Sequence, residues 1–572
     1  MKRAICMIIL TVMLILSTAC GGTPTDEVTT PDEITGASPT PELEEYPVEK
    51  VSISDLREYV IVYPSYYDEY RMGEVYILRD AIKNVTGYAL DVISDGEEKR
   101  EHEIIIASST RENGIECSIE KFESGLDYAV GVRKGNIVLG GNNFYADMRA
   151  IYYFINNVLG YNDIDDIYSE PQSVMSGIEF NIYEKPLMTI MGSNFSVGPY
   201  TEQYAVRDMH DAHFNMMLIE ESVYSREQIL DFAKWCARYE IFIAIRSMKF
   251  TQAYIDCPII WGHVIYDEPL PNLETYISVT EKCDSYIEEY GKYGWKPWVN
   301  FAGYDECFYD LNEYDGLFDS VPVMSFDRYF GHNIAHNEWG SLLHVYEQGK
   351  EIADRKGVDL WIYIEAYRLV YEKLNVSKLF RWSSYLSLCF GAKGILYFQY
   401  CDHSEKYGSE KDLINGSLIN PDFSKNEAWY EAQKTNEELL KLAEIYVQYE
   451  TLGAYVMNSN RKQDSAYLEA PYPYVSDYIS DFIDPDESNK DTYLLSFFKK
   501  PDSDGKAFII MNINDLDDVP YAETHAQPAR VKINGENVKF YREGVLQSVP
   551  EDNDGYYLLE IGNGHCWFVE VE

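Results

Sequence analysis

Eight apolar runs in the middle of the chain constrain its fold more than any other feature. They recur between residues 185 and 450, and segments with helical periodicity separate them. Such runs indicate strands buried on both faces, and their alternation with helices favours a parallel sheet. Eight strand–helix units in roughly 265 residues predict a (β/α)8 TIM barrel of ordinary size. The runs are Pro186–Asn194, Phe214–Glu221, Glu240–Ser247, Ile259–Glu268, Lys296–Phe301, Val321–Phe330, Val358–Tyr367 and Gly394–Tyr400.

The sequence before the barrel and the sequence after it have patterns that differ from the pattern of the barrel. The α/β chain is therefore expected to have three folded parts. Residues 51–184 predict a small α+β domain, with amphipathic helices over Glu69–Gly87 and Phe144–Gly160 and a hairpin that turns at Lys134-Gly135. Residues 451–572 carry short apolar strands separated by Asp, Asn and Gly turns, which predict a β-sandwich.

The first 20 residues have the pattern of a bacterial lipoprotein signal peptide. Lys2 and Arg3 precede a short apolar run, and small residues lead to Cys20, the expected site of lipidation. Residues 21–50 are acidic and rich in Pro and Thr, which predicts a disordered linker. We therefore expect a lipid anchor that holds the protein on the membrane, facing outward at the bacterial cell surface. A plain secretory signal or an uncleaved anchor remains an alternative.

The net charge of −47 restricts the partners of the chain. A protein this acidic repels phosphate backbones, so nucleic-acid binding is not expected. The ten cysteines form no CxxC pair and have no histidine at zinc-ligand spacing. No metal or other cofactor is expected, and the oligomeric state stays open.

Polar side chains follow nearly every predicted barrel strand. Because a barrel builds its site where the strands end, these residues should meet at one face. Carboxylates gathered there repel one another and are costly without a function. The candidate catalytic residues are Asp267, Glu268 and Glu365, and the candidate substrate-binding residues are Asn194, Glu221, Arg246, Asn300, Asp327, Tyr329, Tyr363 and Gln399.

Alternation along the seventh strand predicts which side chains enter the barrel. Asp359, Trp361, Tyr363 and Glu365 share one face, and the residues between them suit contact with helices. Glu365 should therefore point inward where the strand ends. Its alternative is an ordinary capping or salt-bridged glutamate.

The same alternation on the fourth strand places Trp261, His263, Ile265 and Asp267 inside, and Val264 outside. Glu268 follows, and the proline after it disfavours helical geometry at Glu268. His263 lies deeper and is expected to be a hydrogen-bonded core histidine. An acidic turn before a helix is the alternative for Asp267-Glu268.

Three motifs in the barrel, IYDEP (265–269), FDRYF (326–330) and LSLCFGAKGILYFQY (386–400), resemble glycoside hydrolases of the β-galactosidase clan. The order of elements before the barrel resembles the accessory domain of family-20 hexosaminidases. The clan resemblance implies that Glu268 is the acid/base and Glu365 the nucleophile of a retaining enzyme acting on oligo- or polysaccharides. The clan has Asn where this chain has Asp267, which departs from the pattern.

Two other interpretations remain open. Family-20 and family-123 hexosaminidases carry an Asp-Glu pair on strand four, so Asp267 and Glu268 would act by substrate assistance on an N-acetylhexosaminide. The family-20 glycines after the histidine are missing here, where Val264 and Ile265 follow His263. The remaining interpretation is a carbohydrate-binding lipoprotein without turnover.

Overall fold

The fold is taken from a computed structural model of the chain. The structure describes residues 49–111, 122–162, 167–193, 202–249, 251–303, 307, 311, 314, 316–329, 339–366, 376–401, 417–420, 422–457, 475–483, 492–513, 528–562 and 564–571. The predicted signal peptide, Cys20 and the linker up to residue 48 lie outside these residues. Glu49–Glu572 forms one compact unit. No helix in the described part of the chain combines the length and apolarity needed to cross a membrane.

The described part of the N-terminal domain has a mixed six-stranded sheet and two α-helices. The sheet order is β10-β5-β6-β4-β2-β3, and its β2–β3, β2–β4 and β4–β6 pairs are parallel. Lys134 and Gly135 turn the β5–β6 hairpin with φ angles of 51° and 75°, as predicted. The elements are β1 Lys50–Ser52, β2 Val60–Tyr63, α1 Glu69–Thr86, β3 Val92–Ser94, β4 Glu103–Ile106, β5 Tyr128–Arg133, β6 Asn136–Gly140, α2 Phe144–Tyr153, β7 Tyr161–Asn162, β8 Ile167–Tyr168, β9 Val174–Ser176 and β10 Ile178–Asn181.

Eight parallel strands then close into a barrel in chain order, which confirms the predicted fold class. The first strand pairs with the last in parallel, so the sheet has no free edge. The strands are β11 Thr189–Gly192, β12 Met216–Glu220, β13 Phe242–Arg246, β14 Ile260–Asp267, β15 Lys296–Ala302, β16 Val323–Asp327, β17 Asp359–Glu365 and β18 Gly394–Phe398.

In the described part of the barrel, regular helices follow six of the strands. The described part of the β13–β14 connection holds only a short 3-10 helix, Thr251–Ala253, where a regular strand–helix unit was expected. The N-terminal domain packs close to this connection, since Gly125 approaches Pro258 there. The helices are α3 Glu202–Asp211, α4 Arg226–Tyr239, α5 Leu273–Tyr290, α6 Trp339–Lys356, α7 Val376–Cys389 and α8 Glu427–Tyr446.

The C-terminal part is two antiparallel sheets, of six and three strands, around their own apolar core. Along β21, alternate residues such as Leu495 face this core, whereas Leu494 and Phe498 join the core shared with the barrel. The elements are β19 Glu450–Met457, α9 Val475–Tyr478, β20 Ile479–Ile483, β21 Tyr493–Lys499, β22 Lys506–Asn512, β23 Ala529–Ile533, β24 Lys539–Arg542, β25 Val545–Gln547, β26 Tyr557–Leu559 and β27 Cys566–Val571.

Candidate active site

The interior of the barrel is filled by side chains, so any site must lie at one of its ends. Met191, Val264, Trp298, Trp361 and Leu396 belong to one buried cluster inside the sheet. Beyond this layer, toward the carboxyl ends of the strands, polar side chains replace apolar ones. The end of the barrel that holds the carboxyl ends of the strands is the carboxyl face.

Two bulges in β14 change which of its residues face inward. The pairing with β13 shifts after Ile260, and the pairing with β15 shifts after Val264. Val264 therefore lies inside the barrel, and Ile265 packs outside. The predicted inward placement of His263 and Ile265, and the outward placement of Val264, were wrong because a bulge interrupts the strict alternation. Asp267 still reaches the carboxyl face.

His263 is a core residue on the outer side of β14. Its Nδ1 lies 2.7 Å from the hydroxyl of Tyr286 on α5, and the ring is fully buried. Burial lowers the pKa of His263 to about 4, so the ring is neutral at physiological pH. This agrees with the structural role expected for it.

Asp267 is held on both carboxylate oxygens. Arg246 Nη2 lies 2.8 Å from its Oδ2, and Asn300 Nδ2 donates to its Oδ1 at 3.0 Å. Ser325 Oγ donates to Asn300 Oδ1 at 2.8 Å, and Trp298 Nε1 donates to Ser325 Oγ at 2.7 Å. This chain of bonds fixes the position of the Asp267 carboxyl group. Ser325 was missed in the sequence, although it shares the inward face of β16 with Asp327.

Glu268 turns away from Asp267 and toward β16. Its φ of 51° lies in the left-handed region, and its backbone N–H donates to Asn300 O at 2.7 Å. The side chain is exposed, and its carboxyl contacts that of Asp327. The backbone reversal therefore pairs Glu268 with a carboxyl group on another strand.

Asp327 is the less exposed partner of this pair and is half-buried. Burial raises the pKa of Asp327 well above its usual range, and the Glu268 carboxyl beside it raises the pKa further. Asp267 adds to this effect, whereas Tyr329, whose hydroxyl donates to Asp327 Oδ2 at 3.3 Å, opposes it. Two carboxyl groups in contact cannot both ionise easily, so a state with one proton on the pair is favoured.

Glu365 ends β17 on the face predicted from the alternation. It is buried, with 2% of its surface exposed, and Trp361 and Tyr363 precede it on the interior side. The Tyr363 ring stacks on Trp298 with centroids 6.1 Å apart and an interplanar angle of 10°. Burial raises the pKa of Tyr363, and the nearby Asp267 and Asp327 raise it further. Tyr363 therefore brings β17 close to both aspartates.

Aromatic and amide groups border the carboxylates on the side of β18. The rings of Tyr329 and Phe398 stack with centroids 5.8 Å apart at 27°. Gln399 is buried, and its Oε1 has no hydrogen-bond partner among the described groups. An unpaired buried acceptor at this position suits a hydroxyl ligand.

One predicted substrate-binding residue, Glu221, does not join this arrangement. The Glu221 carboxylate accepts hydrogen bonds from Ser247 Oγ, the Lys249 backbone N–H and the Tyr254 hydroxyl, all within the connection after β13. These bonds occupy the carboxylate, so we expect Glu221 to anchor that connection instead of contacting substrate. Asn194 lies outside the described residues.

Metal binding has no support in the described part of the chain. No three of its His, Cys, Asp or Glu side chains are grouped so that they could hold a metal ion. The carboxyl face holds the Asp267 carboxyl group, which Arg246 and Asn300 fix, the contacting carboxyl groups of Glu268 and Asp327, and buried Glu365.

No protein-family model matches the sequence, and no curated protein matches it. The solved structures that it resembles include glycoside hydrolases. A family 39 enzyme from Bacteroides cellulosilyticus WH2 matches with a TM-score of 0.40 and 11% identity, over 72% of this chain and 86% of that one. An endo-1,4-β-D-mannanase from Thermotoga petrophila RKU-1 matches with a TM-score of 0.32 and 13% identity, over 45% of this chain and 99% of that one.

A β-galactosidase from the psychrophilic Marinomonas ef1 matches with a TM-score of 0.33 and 10% identity. The match covers 45% of this chain and 60% of that enzyme, so this chain spans less than two thirds of it. The expected likeness of the N-terminal domain to family 20 is not confirmed by these comparisons.

Proposed function

We propose that this protein hydrolyses O-glycosidic bonds at the carboxyl face of its barrel, with Glu268 as the proton donor. The observation that carries the proposal is the contact between the Glu268 and Asp327 carboxyl groups. A general acid must hold a proton at the working pH, and a carboxyl pair that shares one does so. Glu268 is the exposed member, so it can reach a substrate, whereas Asp327 sets the proton affinity of the pair.

The second carboxylate in this proposal is Glu365. In a retaining mechanism Glu268 gives its proton to the glycosidic oxygen while the Glu365 carboxylate attacks the anomeric carbon, and the bond to the leaving group breaks. Water then attacks the anomeric carbon of the glycosyl ester, Glu268 takes a proton from that water, and the bond to Glu365 breaks. The burial of Glu365 on the interior face of β17 supports this role.

Substrate assistance is less well supported. It requires an aspartate whose carboxylate is available to orient the acetamido group of the substrate. Both Asp267 oxygens are already held, by Arg246 and Asn300. We therefore assign Asp267 to positioning Arg246 and Asn300 at the site.

Turnover of aryl glycosides, with and without a 2-acetamido group, tests the proposal. Glu268→Gln should lower kcat/KM by about 10²–10⁴-fold on substrates with poor leaving groups, and much less on dinitrophenyl glycosides, which need no acid. Glu365→Ala should be inactive on all of them, and azide should restore turnover by attacking where Glu365 attacked. Glu274→Gln, an exposed change six residues beyond Glu268, is the matched control.

Other results would contradict this proposal. If wild type cleaves only the 2-acetamido substrates and Asp267→Asn loses as much activity as Glu268→Gln, substrate assistance replaces double displacement. If wild type turns over no glycoside, or Glu268→Gln keeps wild-type activity on every leaving group, Glu268 is not the acid.

We further propose that the chain acts at the cell surface, held by a lipid on Cys20. The small residues before Cys20 and the acidic segment after it support this placement. Expression in a bacterium should give a membrane-associated protein that partitions into detergent, and Cys20→Ser should appear in the soluble fraction. Equal membrane association of the two would contradict the lipid anchor.

A further inference from the structure

A cavity of about 430 Å³ opens where the N-terminal domain meets the barrel. Tyr66 and Arg71 line it from the N-terminal domain, and Asp256, Pro258 and Tyr293 line it from the barrel. The barrel residues come just before the first residues of β14 and β15, so the cavity lies at the amino ends of the strands. It is therefore at the opposite end of the barrel from the carboxyl pair. Its volume falls within the range of about 300–1,000 Å³ seen for small-molecule sites.

Two tyrosine rings at this cavity are exposed and yet fixed. Tyr66 is 57% exposed, although its hydroxyl donates to Ser108 Oγ at 2.9 Å and its ring packs edge-on against Tyr67. Tyr293 is 37% exposed, and its ring packs against Trp295 with centroids 5.6 Å apart. Rings held in this way present an apolar face with little loss of conformational entropy on binding.

Polar groups of both signs lie beside these rings. The Arg71 guanidinium is oriented by Asp68, at 3.1 Å, and by the Phe144 ring, whose centroid is 5.7 Å away. Asn142 and Asp256 add an exposed amide and an exposed carboxylate. Because donors and acceptors are mixed, the cavity suits a neutral ligand with many hydroxyl groups better than an ion. Flat rings with hydrogen-bonding groups around them match the two kinds of surface on a pyranose.

We propose that this cavity is a second carbohydrate-binding site, which holds one or two sugar units of a glycan without cleaving them. It would keep a polymeric glycan near the protein while the carboxyl face acts on a chain end or a side chain. The proposal rests on the cavity itself, so it does not require that the carboxyl face be hydrolytic.

The test is affinity electrophoresis of the full chain through gels that contain galactan, mannan or xyloglucan. Glu268→Gln is used as the parent so that no polysaccharide is consumed. We expect retardation in at least one gel, and a Kd raised about tenfold or more by Tyr66→Ala together with Tyr293→Ala. Tyr88→Ala removes a tyrosine that is 51% exposed elsewhere and should leave retardation unchanged. Urea unfolding midpoints must agree among the variants.

Three results would overturn this site. They are a parent that none of the three polysaccharides retards, a double variant retarded as strongly as the parent, and a Tyr88→Ala variant whose binding is weakened equally. In a chain that keeps Glu268, the double change Tyr66→Ala and Tyr293→Ala should leave the turnover of a small aryl glycoside unaltered. A failure to hydrolyse any glycoside would count against the carboxyl face alone, because the binding assay involves no turnover.

Discussion

Asp327 shows how one half-buried carboxyl can set the chemistry of another. Its burial and its contact with Glu268 favour a state with one proton on the pair, whereas a lone exposed glutamate would lose its proton at about pH 4. The two carboxyl groups are 59 positions apart in the chain and meet only through the barrel. Their apparent pKa values belong to the pair, not to either residue.

Asp327→Asn should move the basic limb of the kcat/KM–pH profile to lower pH. The amide cannot share a proton with Glu268 and can donate a hydrogen bond to the ionised form, so Glu268 would lose its proton earlier. Activity should fall most above neutral pH and least in acid. Asp359→Asn, at the other end of the barrel, is the matched control. A basic limb that stays in place would show that Asp327 does not govern the acid.

Asp147 makes the N-terminal domain sensitive to pH. Burial raises the pKa of Asp147 to about 7, although Tyr67, Ser108 and the Gly141 N–H donate hydrogen bonds to it and lower the pKa. The folded state thus keeps a proton that the unfolded chain loses above the ordinary aspartate pKa of 3.8. This group's contribution to stability is constant below pH 3.8 and becomes less favourable as pH rises toward 7.

The stability loss from Asp147 should be about 1.4 kcal/mol per pH unit across that window. Urea unfolding of wild type at several pH values, compared with Asp147→Asn, measures it. The variant should show a flatter dependence between pH 4 and 7, even if its absolute stability is lower. Asp80→Asn, an exposed change on α1, should keep the wild-type slope. Parallel curves for wild type and Asp147→Asn would show that Asp147 stays ionised.

At the scale of elements, β14 positions Asp267 and Glu268 through its irregularities. A perfectly alternating strand would turn His263 into the barrel and change what reaches the carboxyl face. Gly262 lies between the two bulges, where β15 approaches closely. A Cβ at this position would lie 2.0 Å from Lys296 O and 2.6 Å from Lys296 N. Backbone atoms cannot yield as a flexible side chain can.

Gly262→Ala should therefore destabilise the barrel by about 1–3 kcal/mol or more and disturb the site with it. The measurements are the urea midpoint and turnover of an aryl glycoside. Gly73→Ala is the control, because a Cβ there meets nothing within 4 Å and the residue lies inside α1. That change should be neutral or stabilising by up to about 1 kcal/mol. Equal urea unfolding midpoints for Gly262→Ala and Gly73→Ala would mean that the backbones of β14 and β15 can move apart without a loss of stability.

At the scale of the whole molecule, the N-terminal domain and the barrel share one hydrophobic core. Polar contacts join them as well. Lys234 Nζ on α4 lies 3.1 Å from the buried Glu74 of α1, and the Tyr70 hydroxyl donates to Leu230 O at 2.7 Å. Arg149 pairs with Glu240 beside them. The predicted boundary near residue 184 therefore separates two patterns in the sequence, but it does not separate two independent cores.

A chain that begins at residue 185 should be poorly soluble or unfold at a markedly lower temperature than the full chain. It would expose the apolar surface of α4 and remove Glu74, one of the two carboxylates that pair with Lys234. Soluble yield and thermal unfolding measure the effect. A chain that begins at residue 49 keeps the compact unit and should unfold like the full protein. A stable, soluble barrel without the N-terminal domain would contradict the shared core.

By itself, the sequence determined the eight strands, their order and the polar residues at their ends, since periodicity and strand composition are local properties. It also predicted the inward face of β17 correctly, because that strand alternates without a bulge. Only the tertiary structure decided that Val264 replaces His263 inside the barrel, that Glu268 meets Asp327, and that Asp267 is held by Arg246 and Asn300. Bulges and contacts between distant strands depend on how neighbouring backbones pair, and no local pattern records that pairing.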